Sequence, residues 1–443
     1  MHNMAIAMKL KGHHVTGSDD EINEPSKSRL AGHGLLPEKM GWRPEVIDES
    51  IHEVILGMHA RADNPELVRA RELNLKIYSY PEYLYEQSKN KTRVVIGGSH
   101  GKTSITAMIL HVLKHWGIDT DYMVGAQLAG FETMVRLTSE AKFIVLEGDE
   151  YLASPIDRRP KFHLYHPHIA LLSGIAWDHI NVFPTFANYV EQFEKFIDLI
   201  EPGGTLIYCR EDETLGKISE KTNDEISKQS YGVPPHVIRD GTTFLIRDGR
   251  EIPLLIFGDH NLMNLTGARY VCNTMGMSDA QFDEAIQSFK GAARRLELVA
   301  KRGSFNCYKD FAHSPSKLKA TTWAVKQQFP DRKVVACMEL HTFSSLTAEF
   351  LKEYNGAMDA ADEAYVYFNP HTIAHKKLEP ITEEQVTSAF ARVDINVFTD
   401  STALVAELQT QNWNNSVLLF MTSGNFDGVD FLEFALNCNA ASA

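Results

Sequence analysis

Cysteine is scarce. The 443-residue chain has five, Cys209, Cys272, Cys307, Cys337 and Cys438, scattered and forming no C-x-x-C pair. This excludes a disulfide framework and a Cys-based zinc site, and it fits free thiols in a reducing cytoplasm. Long hydrophobic runs are missing as well. No stretch of about 18 apolar residues occurs, and there is no basic-then-apolar leader, so a soluble, cytoplasmic protein without membrane insertion is expected. Positive charge is in deficit, with 44 Lys and Arg against 58 Asp and Glu and a formal charge of −14. Nucleic acid and anionic membrane are therefore unsuitable partners, and any anionic substrate has to be held by local basic groups. Internal repeats and low-complexity segments are also lacking.

What remains is ordinary globular composition, 44% hydrophobic and 23% charged, long enough for several cores. Short β-branched runs alternate with amphipathic helical stretches, the pattern of parallel sheets flanked by helices. Strands are expected at His14–Ser18, Val54–Met58 and Lys76–Tyr80, then a boundary in the polar stretch Glu82–Asn90. A second block holds Thr92–Gly97, Lys142–Leu146, His168–Ser173 and Thr205–Tyr208; a third holds Lys333–Met338, Ala364–Phe368 and Val417–Met421. Between about 210 and 258 turn residues multiply, which suggests small antiparallel strands attached to the second block. The fold class is α/β with three domains, at 1–89, 90–293 and 294–443. The opening is unusual: Met1–Lys11 reads as a helix, with no strand and glycine-rich turn before it. Either the fold starts unusually or its first strand is absent from the chain.

The segment Val94–Ser104 is an apolar strand, a glycine-rich turn, and Gly101-Lys102-Thr103 opening a helix with apolar Ile105, Ile109, Val112, Leu113 and Trp116. Glycines let backbone N–H groups approach phosphates, and the helix N-terminus adds partial positive charge. Lys102 can reach β- and γ-phosphates, and the Thr103 hydroxyl can ligate Mg²⁺. Ile96 stands where the full G-x-x-x-x-G-K-[ST] pattern has its first glycine. An acidic residue ending a neighbouring strand should hold the metal. Glu147 follows Lys142–Leu146 directly and is the preferred ligand; a solvated acidic loop over Glu147–Glu150 is the competing reading. Asp178-His179 follows another strand and would share that carboxyl edge. His163, His166 and His168 lack a companion carboxylate at ligand spacing and read as a chance cluster.

Taken together, the motifs resemble the Mur ligase superfamily, ATP-dependent amide-forming enzymes of peptidoglycan assembly. Gly98-Ser99-His100-Gly101-Lys102-Thr103 is similar to G-T-H-G-K-T, and Glu147-Gly148-Asp149-Glu150-Tyr151 to E-A-D-E-[SY]. Asp178-His179 resembles the family's D-H, Gly258–Asn264 its G-x-H-N-x-x-N, Arg294–Glu297 its R-R-x-E, and Asp310–Pro315 its D-[YF]-A-H-x-P. The resemblance implies a Rossmann-like N-terminal UDP-sugar domain lacking its first strand, a central P-loop ATPase-like domain, and a Rossmann-like C-terminal domain that receives the amine. It also implies site roles. Gly98, Ser99, His100, Gly101, Lys102, Thr103 and Ser104 would bind ATP phosphates, with Lys102, Glu147 and His179 catalytic and Thr103, Glu147 and His179 around Mg²⁺. His260, Asn261 and Asn264 would meet the adenine end, and Arg295 and Asp310 the phosphates and ribose. His313, His341 and Ser423 would line the substrate side. Implied partners are UDP-N-acetylmuramate and an amino acid or tripeptide, for a monomer or weak dimer.

The chain departs from the family pattern at Gly174-Ile175-Ala176-Trp177, where Asn-x-Glu is common, and at Lys309, where Asp is common. Asp157–Phe162 and Met421–Gly428 resemble the muropeptide ligases, which attach L-alanyl-γ-D-glutamyl-meso-diaminopimelate. Glu339-Leu340-His341-Thr342-Phe343 fits neither their E-P-R-S-N-T nor the Q-P-H-R-[YF] of the alanine ligases. The muropeptide reaction, through an acyl phosphate, is the preferred expectation. UDP-N-acetylmuramate–L-alanine ligase is the alternative, and a non-catalytic ATP-binding module the lesser one.

Overall fold

The computed structural model describes residues 1–128, 130–177, 182–221, 225–292 and 295–439. The chain divides into two compact units, Met1–Val233 with Met263–Ile286, and Pro234–Leu262 with Gln287–Ala443. The architecture is mixed α/β with mainly parallel sheets, the class expected from the alternation of short apolar runs and helices.

The first unit is built on a seven-stranded sheet in the order Val135–Arg136, Thr120–Met123, Phe143–Glu147, Thr92–Gly97, Ile169–Leu172, Thr205–Cys209, Ser227–Tyr231. Only the edge pair Val135–Arg136 and Thr120–Met123 is antiparallel. The central strand is buried on both faces, with Val94, Val95 and Ile96 inaccessible, as a near-continuous apolar run requires. Chain order reverses around it, one neighbour leading to each side. This opens a crevice at its carboxyl end, where open α/β sheets bind ligands.

The early residues depart in part from expectation. Met1–Lys11 forms the expected helix, His2–Leu10, burying Met4, Ile6, Ala7 and Met8. Glu53–Leu56 and Lys76–Ser79 pair in parallel as a sheet of two strands. His14–Ser18 is not a strand. Among the described residues no strand pairs with it, and the Ser18 hydroxyl donates to Glu66 at 2.5 Å. The polar stretch Glu82–Asn90, where the first boundary is expected, is largely helical. Ser79 and Glu82 form a reciprocal capping box starting the helix Tyr80–Ser88, which buries Tyr83 and Leu84.

The second unit carries a six-stranded sheet in the order Glu297–Arg302, Phe305–Asp310, Ser416–Met421, Lys333–Leu340, Glu363–Phe368, Ile395–Phe398. Alternate residues feed opposite cores. Val334, Ala336, Met338, Val417 and Leu419 enter one, and Val335, Cys337, Leu418 and Phe420 the other, with Trp413. The small antiparallel strands are present at His236–Arg239, Thr242–Arg247 and Arg250–Leu254. They belong to this second unit, not with the seven-stranded sheet. Thr243 donates to buried Gln328 at 2.8 Å, and Gln328 donates to the Gly241 carbonyl at 2.7 Å. Phe257 adds a ring contact with Phe329.

Candidate active site

The central strand Thr92–Gly97 ends in a turn whose shape depends on two glycines. Gly98 and Gly101 have φ of +116° and +82°, a region costly for any residue with a Cβ. Space is also denied: a Cβ on Gly98 would strike Ser173, and one on Gly101 the Asn264 carboxamide. Ser99 is fixed by its N–H to the Gly174 carbonyl at 3.0 Å and by accepting from the Ala176 N–H at 2.8 Å. The Ser173 hydroxyl donates to the His100 carbonyl. Gly101 caps the helix Lys102–His115, leaving its first N–H groups directed at the crevice. Ser104 lies inside that helix and is buried.

The turn gathers opposite charges. Thr103 donates to Glu147 Oε1 at 2.8 Å, and the other oxygen of Glu147 accepts from the Gly125 N–H at 3.0 Å. Lys102 Nζ lies 2.6 Å from Glu150 Oε2 and 2.7 Å from the Gly98 carbonyl oxygen. Burial alone would lower the Lys102 pKa, but Glu150, Asp149 and Glu147 outweigh it and push it up. Asp149 is half-buried, which alone would raise its pKa, yet Lys161 at 2.5 Å and Lys102 hold it below the usual carboxylate range. Tyr189, from the helix Phe186–Asp198, is completely buried. Its hydroxyl lies 3.0 Å from Ser99 Oγ and donates to Glu150 Oε1 at 3.0 Å.

The structure brings Lys102, Thr103 and Glu147 together at the turn and sets the Asn264 carboxamide against Gly101; the sequence reading puts Asn264 at the adenine end. It passed over Glu150 for Glu147 and gave no sign of Tyr189 or Gly125. The signal for Glu150 was available: it stands three positions after Glu147 in the same quoted motif. Asp178, His179 and Arg294 lie outside the described residues. His163 and His168 have structural partners, the Gln192 carbonyl at 2.7 Å and the Arg93 N–H at 3.1 Å.

The other expected residues lie in the second unit. Asn261 donates to the Phe257 carbonyl at 3.0 Å, a bond local to its own helix start. Asp310 is buried at the end of its strand and accepts from Thr321 at 2.6 Å. Burial holds the His260 pKa down against the pull of Asp310 and Asp259. Arg295 lies over the Phe311 ring at 4.8 Å. His313 is held by the Phe311 carbonyl at 2.8 Å. At the carboxyl ends of Lys333–Leu340 and Ser416–Met421, buried Glu339 accepts from Thr422 and from the Phe426 N–H at 3.0 Å. His341 Nδ1 stands 3.4 Å from Glu339, and Ser423 Oγ is buried in the adjoining loop.

Family descriptions match the chain in three segments. Residues 1–92 match the Mur ligase family catalytic domain, 96–272 the Mur ligase middle domain, and 294–424 the Mur ligase glutamate ligase domain. The UDP-N-acetylmuramate–L-alanine ligase of Limosilactobacillus reuteri is 30% identical over 83% of this chain and 82% of its own length. The chain belongs to the Mur ligase family. Members of this family are ATP-dependent ligases that form amide bonds in peptidoglycan precursors. The corresponding enzyme of Lactiplantibacillus plantarum is 28% identical to this Mur ligase over 96% of the chain and 93% of its own length. Among solved structures, the UDP-N-acetylmuramate-alanine ligase of Thermotoga maritima has a TM-score of 0.67 at 20% identity, covering 98% of this chain and 95% of that one. The murein peptide ligase of Psychrobacter arcticus has a TM-score of 0.61 at 22% identity, covering 99% and 96%. Both structural likenesses concern the fold. Among the described residues, no helix is long and apolar enough to cross a membrane.

Proposed function

We propose that this Mur ligase joins the carboxylate of UDP-N-acetylmuramate to the amine of L-alanine, converting ATP to ADP and phosphate. The observation that carries the reaction class is the turn at Gly98–Thr103, a glycine cradle at a helix N-terminus with a half-buried lysine and an adjacent hydroxyl–carboxylate pair. The amine is assigned from the near full-length likeness to ligases of that name.

The residues present suit the nucleotide and Mg²⁺. Thr103 and Glu147 offer hard oxygen donors already 2.8 Å apart, the ligand type Mg²⁺ prefers. When bound there, Mg²⁺ would supply charge neutralisation at phosphate oxygens. The chain's own part is positioning and electrostatics. Backbone N–H groups of the turn hold the phosphates, and Lys102, kept protonated by its acidic neighbours, meets the charge that grows as the γ-phosphoryl group moves. A substrate carboxylate oxygen bonds to the γ-phosphorus as the bond to ADP breaks. The amine then bonds to the acyl carbon, phosphate leaves, and the ammonium proton is lost. Exclusion of water protects the acyl phosphate, and a cytoplasmic setting would supply the substrates.

A second reading keeps the tripeptide L-alanyl-γ-D-glutamyl-meso-diaminopimelate as the amine. It is favoured by Asp157–Phe162, whose Lys161 is tied to Asp149 at 2.5 Å, and by the Met421–Gly428 loop, where Asp427 accepts from Tyr367 and Asn369. The test offers ATP, UDP-N-acetylmuramate and either amine, and weighs the products by mass spectrometry. The expected product is the alanine adduct with matching ADP, absent in Lys102→Ala. A product from the tripeptide alone would move the assignment to the second reading, and no adduct with either would overturn the proposal.

A further inference from the structure

The hydrogen-bonded chain Lys102–Glu150–Tyr189–Ser99, buried at its middle, is more than the phosphate turn needs in order to fold. Glu150 is 1% exposed and Tyr189 fully buried. Yet their polar atoms meet a lysine on one side and the turn's own serine on the other. Lys102 is thereby drawn back onto the Gly98 carbonyl, inside the turn.

We infer that Glu150 and Tyr189 are positioning residues that set nucleotide affinity, Glu150 by competing with phosphate for Lys102 and Tyr189 by easing its release. This rests on the nucleotide-binding reading above. Without nucleotide, Glu150 is the counter-ion of Lys102. A phosphate oxygen can have the full ammonium only if that bond is loosened, so part of the binding energy goes into the exchange. Once the lysine turns away, Glu150 is a buried carboxylate whose charge must be met by another donor. The Tyr189 hydroxyl, 3.0 Å from Glu150 Oε1, is that donor. Because it also lies 3.0 Å from Ser99, it registers the exchange against the backbone of the turn.

The two residues should therefore act with opposite signs, which a merely structural role would not produce. Glu150→Gln keeps the shape and removes the competing charge. Tyr189→Phe keeps the ring packing and removes the donor, so Glu150 clings to Lys102. Isothermal titration of the full chain with ADP should give a Kd lowered about tenfold in Glu150→Gln and raised about tenfold in Tyr189→Phe, the effect of one hydrogen bond to a charged group. The double variant should match Glu150→Gln, because Tyr189 acts through Glu150. Both single variants weakening alike, or neither changing, would overturn the inference while wild-type binding stands. Failure of the wild-type chain to bind ADP would instead sink the nucleotide reading beneath it. Should Glu150→Gln melt below the assay temperature, Tyr189→Phe decides alone, and an unchanged or lowered Kd counts against the network.

Discussion

Gly101 shows how much a single position can carry. Its φ of +82° starts the phosphate-loop helix, and the Asn264 carboxamide fills the space a side chain would take. An alanine there would cost about 1–2 kcal/mol in backbone strain alone and would push Asn264 away from the turn. Gly101→Ala should stay folded by circular dichroism and lose most ADP formation in a coupled assay; near wild-type turnover would show that the turn's shape is not limiting. At this scale the site was partly legible. Lys102 and Thr103 are adjacent in the chain, and Glu147 ends a recognisable strand, so local spacing locates them. Tyr189 stands 39 positions from Glu150 on a separate helix. Nothing in its neighbours marks it, because its role comes from where that helix packs.

Elements were legible in proportion to their burial. The central strands of both large sheets read as apolar runs because both faces are covered. Glu297–Arg302, which among the described residues pairs with Phe305–Asp310 at the edge of its sheet, has Leu298 and Lys301 exposed and the rest half-buried, so no continuous apolar run marks it. In Ser416–Met421 every residue is buried, Leu418 and Phe420 in one core and Val417, Leu419 and Met421 in the other. Leu418→Ala should thus empty space on one face only, at a cost of about 2–5 kcal/mol. Each unit has its own sheets and cores, so calorimetry should show the transition of the second unit shifted down and that of the first unchanged. An equal shift of the whole endotherm would mean that the two unfold as one.

The whole molecule carries a net charge of −14 and includes at least one histidine that resists protonation. His163 stacks on Phe162 at 4.8 Å and bonds to the Gln192 carbonyl, and burial lowers its pKa from 6.5 to about 4. The folded chain then binds fewer protons than the unfolded chain between those values. The stability contributed by neutral His163 is full above pH 6.5 and is lost as pH falls toward 4. Discounted for its partial exposure, the effect is about 2 kcal/mol. Urea midpoints should drop over that range in the wild type and clearly less in His163→Gln; parallel curves would show that other groups govern acid stability.

The sequence by itself determined the α/β class, the order of most strands and helices, the phosphate turn and the family, because each is written in residues close together along the chain. Turn chemistry, capping and apolar periodicity are local properties. Tertiary structure alone decided that Lys102 rests on Glu150, that Tyr189 joins Glu150 to Ser99, and that the strands between His236 and Leu254 belong to the second unit. Those outcomes depend on which distant groups share one buried space. There an unmatched charge or a missing hydrogen bond costs far more than at the surface, so the choice of partner is made by packing and not by spacing.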